Sequence, residues 1–111
     1  MSLLKTLMAE KLNKSANGRT VPMTGTDVTI APVPGEIYQC GVLSNLTVTA
    51  SPEMGLYCIV FSSGPEPTTT VFPVSVLGLE HFAAKANTIY EISVQDNRAL
   101  AASWEGAADA N

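Results

Sequence analysis

The sequence predicts an all-β fold: a single β-sandwich of about seven short strands, jelly-roll-like or immunoglobulin-like, behind a short N-terminal helix or arm. Three observations carry this. Apolar and polar residues alternate with period two in short runs, most clearly in residues 87–104, where Tyr90, Ile92 and Val94 point one way and Glu91, Ser93 and Gln95 the other. Clusters of Gly, Pro, Ser and Asn separate the runs, as turns do in β-rich domains. The run LYCIVFS at 56–62 is apolar almost throughout and too short for a buried helix, so it reads as the most buried, central strand.

In chain order, residues 2–12 predict a short amphipathic helix, with Ser2 able to cap it and Leu3, Leu4, Leu7 and Met8 at helical spacing. Lys11 interrupts the same stripe, so the apolar side lasts about two turns and the helix is marginal in water by itself. It has to pack on something, either its own body or a neighbouring subunit or partner. Residues 13–26, with Gly18, Pro22 and Gly25 but no periodicity, read as linker, so 1–26 forms an arm. The sandwich then spans 27–105. Val28 and Ile30 flank Thr29 in the first strand, and Pro32 to Gly35 close it. The second, 37–43, carries Gly41 inside it, which predicts a bulge or a close backbone approach.

Ser44-Asn45 reads as a two-residue turn into a strand with Leu46, Val48 and Ala50 inward and Thr47 and Thr49 outward. A turn at 52–55 leads to the central strand, and 63–67 make a rigid exposed loop. TTTVFPVSV at 68–76 contains Pro73, which cannot donate to a ladder and therefore places the strand at an edge or breaks it. Residues 77–85 read as a short helical turn or irregular loop. Asp96-Asn97-Arg98 lets the chain reverse into a closing strand of Leu100, Ala102 and Trp104, with the single Trp packing the rim or centre of a core. Residues 106–111 read as a flexible tail.

Only 14% of the residues are charged, well under the usual quarter, which suggests surface covered by another chain. The net charge of −4 is uneven. Four bases stand against one acid in the first nineteen positions, net +3; two bases stand against nine acids in the rest, net −7. An acidic body argues against nucleic acid, whose phosphates need clustered Lys and Arg. No apolar run reaches membrane-spanning length and no signal peptide is visible, so the chain reads as soluble and made in the cytoplasm. Cys40 and Cys58 sit in apolar runs and read as buried free thiols. With His81 alone beside them, they fall short of a zinc site.

No catalytic constellation emerges. A nucleophile of the Ser or Cys type needs a base, an orienter and an oxyanion hole, and only the pair Cys58 and His81 is on offer. Glu53, Glu66 and Glu80 lie at turns, where solvated carboxylates are ordinary. No Gly-rich phosphate loop is present. Tyr38, Tyr57 and Tyr90 fall in strands, where core packing accounts for them; one ring exposed on a sheet face would suit a sugar.

Val71-Phe72-Pro73, followed by residues 84–88 and then Tyr90-Glu91-Ile92-Ser93-Val94 turning into 99–104, resembles the small β-domains of bacteriophage virion proteins found in tail fibres, head fibres and decoration proteins. About a third of the chain is covered by this resemblance. It implies a non-enzymatic virion structural protein at the particle surface, decoration or head-fibre-like, without cofactor, that oligomerises, commonly as a trimer. Attachment to a capsid or other virion protein would fall to the arm, through Leu3, Leu4, Lys5, Leu7, Met8, Lys11 and Arg19. The alternative is a tail-associated receptor-binding or carbohydrate-binding module that contacts a host-surface glycan; a third reading is a free-standing bacterial carbohydrate-binding module or small enzyme subunit.

Overall fold

Eight strands follow one another in the computed structural model, which describes residues 19–51 and 53–105. They are β1 (Arg19–Pro22), β2 (Asp27–Ile30), β3 (Glu36–Val42), β4 (Asn45–Val48), β5 (Leu56–Ser62), β6 (Thr69–Val71), β7 (Thr88–Gln95) and β8 (Arg98–Glu105). The protein is all-β over these residues, and the helix expected at 2–12 and the tail expected at 106–111 lie outside them. Two sheets form: sheet A in the order β1-β3-β5-β7-β8, and sheet B in the order β2-β4-β6.

Up to β6 the chain alternates between the sheets, and each strand lies parallel to the strand two places earlier. The chain therefore winds in three stacked coils. A parallel pair needs a crossover of a dozen or more residues, and the strand in the opposite sheet supplies it. Only β5–β7 and β7–β8 are antiparallel. This is where the structure departs from the expected sandwich: immunoglobulin-like and jelly-roll sheets are built from antiparallel neighbours, whereas sheet B here is wholly parallel.

The coils are tied at their corners. Ser44 N–H donates to Thr26 O and Thr69 N–H donates to Ser44 O, each at 2.8–2.9 Å, while Thr68 Oγ1 donates to Leu43 O at 2.6 Å. The two-residue turn expected at Ser44-Asn45 is thus a corner between sheets, with Leu43 buried in it. At the other corner Gly55 has φ of +144°, and a Cβ there would lie 2.5 Å from Pro34 Cβ, so the close stacking of coils needs glycine.

The core lies between the sheets. Tyr38, Tyr57, Ile59, Phe61, Tyr90, Ile92 and Val94 of sheet A meet Val28, Ile30, Leu46 and Val48 of sheet B. β5 is the middle strand of sheet A and buried along nearly its whole length, as its composition predicts. The register of β3 against β5 shifts between Gln39 and Val42, the bulge expected at Gly41. β6 stops at Val71, short of Pro73, and runs at the edge of sheet B. Of its neighbours in β4, Leu46 and Val48 point inward, but Ala50 lies past the strand end and is exposed.

β7 and β8 form the expected hairpin, with Asp96 and Asn97 at φ of +52° and +65°, the left-handed pair of a type I′ turn. β1 was not expected, because RTVP has no apolar alternation and reads as linker. It adds to the edge of sheet A: Arg19 and Met23 donate their N–H groups to Gly35 and Gln39, so the N–H that Pro22 lacks would have faced away from β3. At the opposite edge, Leu77 brackets the start of β8 through Leu77 N–H to Asn97 O and Ala99 N–H to Leu77 O. Gly78, at φ of +103°, passes so close that a Cβ would be 2.7 Å from Ala99 O.

Candidate functional site

Two surfaces stand out once the strands are placed. The first is the segment after β6. Phe72 meets Phe82 edge-on, Phe82 meets Tyr90 edge-on, and Tyr90 stacks on Phe61, with ring centres 5.1–5.6 Å apart. This chain of rings closes the sandwich beyond the edge of sheet B. Tyr90 accepts the Lys85 N–H at its hydroxyl at 2.7 Å, which holds the returning loop. The Phe-Pro segment and the β7 strand, distant in sequence, are thereby joined through Phe82. Outside the rings, the segment that runs from β6 to the edge of β8 exposes three apolar side chains, Val71, Val74 and Leu77, at 55%, 100% and 56%, an apolar band in the sense of the chain's course. A shallow cleft of about 470 Å³ beside it is lined by Val71, Phe72, Val74, Leu79, Glu80 and Phe82. Glu80 there turns back to accept the Gly78 N–H.

The second is the outward face of sheet A, away from sheet B. Period two places Ile37, Leu56, Cys58, Val60, Glu91 and Ser93 on it, with Leu100, Ala102 and Trp104 of β8 at one rim. Glu91 and Ser93 point away from Tyr90, Ile92 and Val94, as the alternation predicts, yet they are 3% and 7% exposed among apolar neighbours. Cys58 Sγ lies 4.0 Å from Glu91 Oε2. Trp104 is half-buried opposite Ile89, at the rim of this face rather than in the main core.

A third polar feature sits at the start of β3. Tyr38 donates its hydroxyl hydrogen to Glu36 Oε1 at 2.7 Å and accepts the Val33 N–H at 2.9 Å, and Arg19 ion-pairs with the same Glu36 carboxylate. Burial, reinforced by the adjacent carboxylate, pushes the Tyr38 phenol up to about 12. Burial alone raises Tyr57, and it pushes the Cys40 thiol up to about 11. These are packed groups held in their neutral forms, a state that favours neither a nucleophile nor a base at neutral pH.

The residues singled out from sequence are scattered. Arg19, placed in the arm, belongs to β1 and is tied to the body by Glu36; Leu3, Leu4, Lys5, Leu7, Met8 and Lys11 lie outside the described residues. His81 is exposed on the loop facing Tyr90, Ala101 and Ser103, on the inner side of sheet A, while Cys58 is buried on its outward face. The two do not meet. No disulfide joins the two cysteines; Cys58 is buried as expected, whereas Cys40 is only partly buried, against the expectation. Glu53, Glu66 and Glu80 are exposed on three separate connections, before β5, β6 and β7. Among the described residues no three His, Cys, Asp or Glu side chains gather as metal ligands, and no helix is long and apolar enough to cross a membrane. The apolar band was missed from sequence, although its signal was present: VFPVSVLGL is an apolar run with too much Pro and Gly to be a buried strand.

No protein-family model matches the chain, and no curated protein or solved structure matches it either.

Proposed function

We propose that this chain is a non-enzymatic structural subunit of a bacteriophage particle, decoration or head-fibre-like, that assembles with copies of itself on the virion surface, a trimer being the favoured state. The observation that carries the reading is the apolar band of Val71, Val74 and Leu77, on the segment whose Phe72 joins the edge-to-face contacts Phe72–Phe82–Tyr90. Apolar side chains exposed together on one segment of a domain so poor in charge support an assembly face, because leaving them in water forfeits the hydrophobic gain of burial. The band is also built from the Phe-Pro segment on which the resemblance to virion domains rests. The two-layer body, with coils hydrogen-bonded at both corners, suits a part that bears load rather than one that closes on a substrate. The glycan alternative has less support. Tyr38, Tyr57 and Tyr90 are buried, and Phe72, Phe82 and Trp104 are half-buried, which offers a sugar no open aromatic platform among the described residues.

Two measurements test this. Sedimentation of the purified chain should give an oligomer, and Val74→Asp with Leu77→Asp should reduce it to monomer with an unchanged far-ultraviolet spectrum. A wild-type chain that stays monomeric at every concentration refutes assembly through the band. Immunogold labelling of particles from the chain's source should decorate the particle surface; label confined to the particle-free fraction refutes the virion assignment.

A further inference from the structure

Sheet edges are where an extended chain can add, and three of the four edges here are blunted. β1 is four residues long and ends on Pro22; β2 is four residues long and begins at Asp27; β6 is three residues long, with Pro73 close behind it. β8 is the fourth edge and differs from the others. It runs for eight residues, pairs with β7 without a register shift, contains no proline and carries no charge from Ala99 to Trp104.

The open side of β8 follows from its first residues. Ala99 donates its N–H to Leu77 O, so its backbone groups turn away from β7, and with period two so do those of Ala101 and Ser103. Leu77 brackets only the start of the strand, and among the described residues no backbone group pairs with the edge at Ala101 or Ser103. Both residues are exposed. The two flanks of this edge differ. On the outward face of sheet A stand Leu100, Ala102 and Trp104, apolar and without charge. On the inner side a cleft of about 330 Å³ separates the loop after Glu80 from the strand, lined by His81, Phe82, Lys85, Tyr90, Ala101 and Ser103. Lys85 makes no ion pair among the described residues, although the body is net acidic, and Glu80 on the same loop is turned to the Gly78 N–H.

We propose that the β8 edge takes an extended peptide of another protein as an added antiparallel strand, with acidic side chains at alternate positions toward Lys85 and apolar ones between them beside Leu100 and Trp104. The peptide residues opposite Ala101 and Ser103 make the hydrogen bonds and face the cleft; their neighbours face the outward side. A second copy of β8 is a poorer occupant. Two-fold pairing would bring two loops, each with its Lys85, to the same side of the joint, and would offer the cleft only alanine and serine. Self-assembly stays with the apolar band, and the β8 edge serves a different partner whether or not the particle is a virion.

Trp104 is the single tryptophan and stands on the edge strand, so its fluorescence reports the added strand. The probe is a capped seven-residue peptide of alternating valine and glutamate, titrated into the full chain at low salt. It should give a saturable change, and N-methylation at its glutamates, which removes the donors to β8, should weaken binding by about tenfold. Lysine in place of the peptide's glutamates, or Lys85→Glu in the protein, should weaken it by about fivefold. Ser103→Pro deletes an N–H that points away from β7, so the hairpin should persist while binding is lost; if that variant does not fold, the N-methylated peptide decides. Equal binding of the N-methylated or the lysine peptide overturns the proposal. So does a valine–glutamate peptide that changes neither the fluorescence nor the hydrogen exchange of β8. Loss of self-assembly in folded Ser103→Pro overturns it too, by assigning the edge to a second copy.

Discussion

Ile92 offers the sharpest test of how the two layers are built. It lies at the centre of β7, between Ile59 of β5 and Ala101 of β8, with none of its surface exposed. Replacing it by alanine removes carbon atoms that are fully out of water, worth about 2 to 2.5 kcal/mol at about 0.8 kcal/mol per methylene. The hole cannot collapse easily, because Ile92 sits among Tyr57, Phe61 and Val94 in strands paired on both sides. The cavity left behind adds to the loss, so Ile92→Ala should cost about 2–5 kcal/mol. Urea unfolding should show this as a lower midpoint at unchanged slope, since the area exposed on unfolding hardly changes. Leu100→Ala, on the other face of the same hairpin and 74% exposed, is the control and should stay within about 0.5 kcal/mol. A loss below about 0.5 kcal/mol at Ile92, or equal losses at the two sites, would refute the assignment of the inner face.

Two further outcomes follow from the geometry. Gly78→Ala sets a Cβ against Ala99 O and strains a positive φ, so it should release the Leu77 bracket on β8 at a cost of about 1–3 kcal/mol in urea unfolding, and wild-type stability would show that the bracket bears nothing. Stability should also fall with alkaline pH: Cys40 and Tyr38 have folded values raised to about 11 and about 12 from 9.0 and 10.0, so the unfolded chain loses these protons first. Their contribution is whole below pH 9.0 and is lost between there and about 12, and Tyr38→Phe should remove the upper part of that slope in unfolding measured at stepped pH; an unchanged slope would place the titration elsewhere.

The sequence by itself determined where the chain is extended and which side of each strand is apolar. Period-two alternation placed Val28 and Ile30, Leu46 and Val48, and Tyr90, Ile92 and Val94 in the core. The unbroken run at 56–62 marked the central strand, and Asp96-Asn97 marked the hairpin, because those signals are local and depend on side-chain hydropathy and backbone sterics. Tertiary structure alone decided which strands become neighbours. Alternation tells a strand which face to bury but is silent on whether the next strand returns beside it or crosses to another sheet, so the parallel coils were not legible. The same limit hid β1, whose RTVP is extended only because β3 offers it a hydrogen-bonding edge. It also misplaced Glu91 and Ser93: the polar side of β7 reads as the open side of a half-buried strand, yet both are buried beside Cys58 and Val60 on the outward face of sheet A.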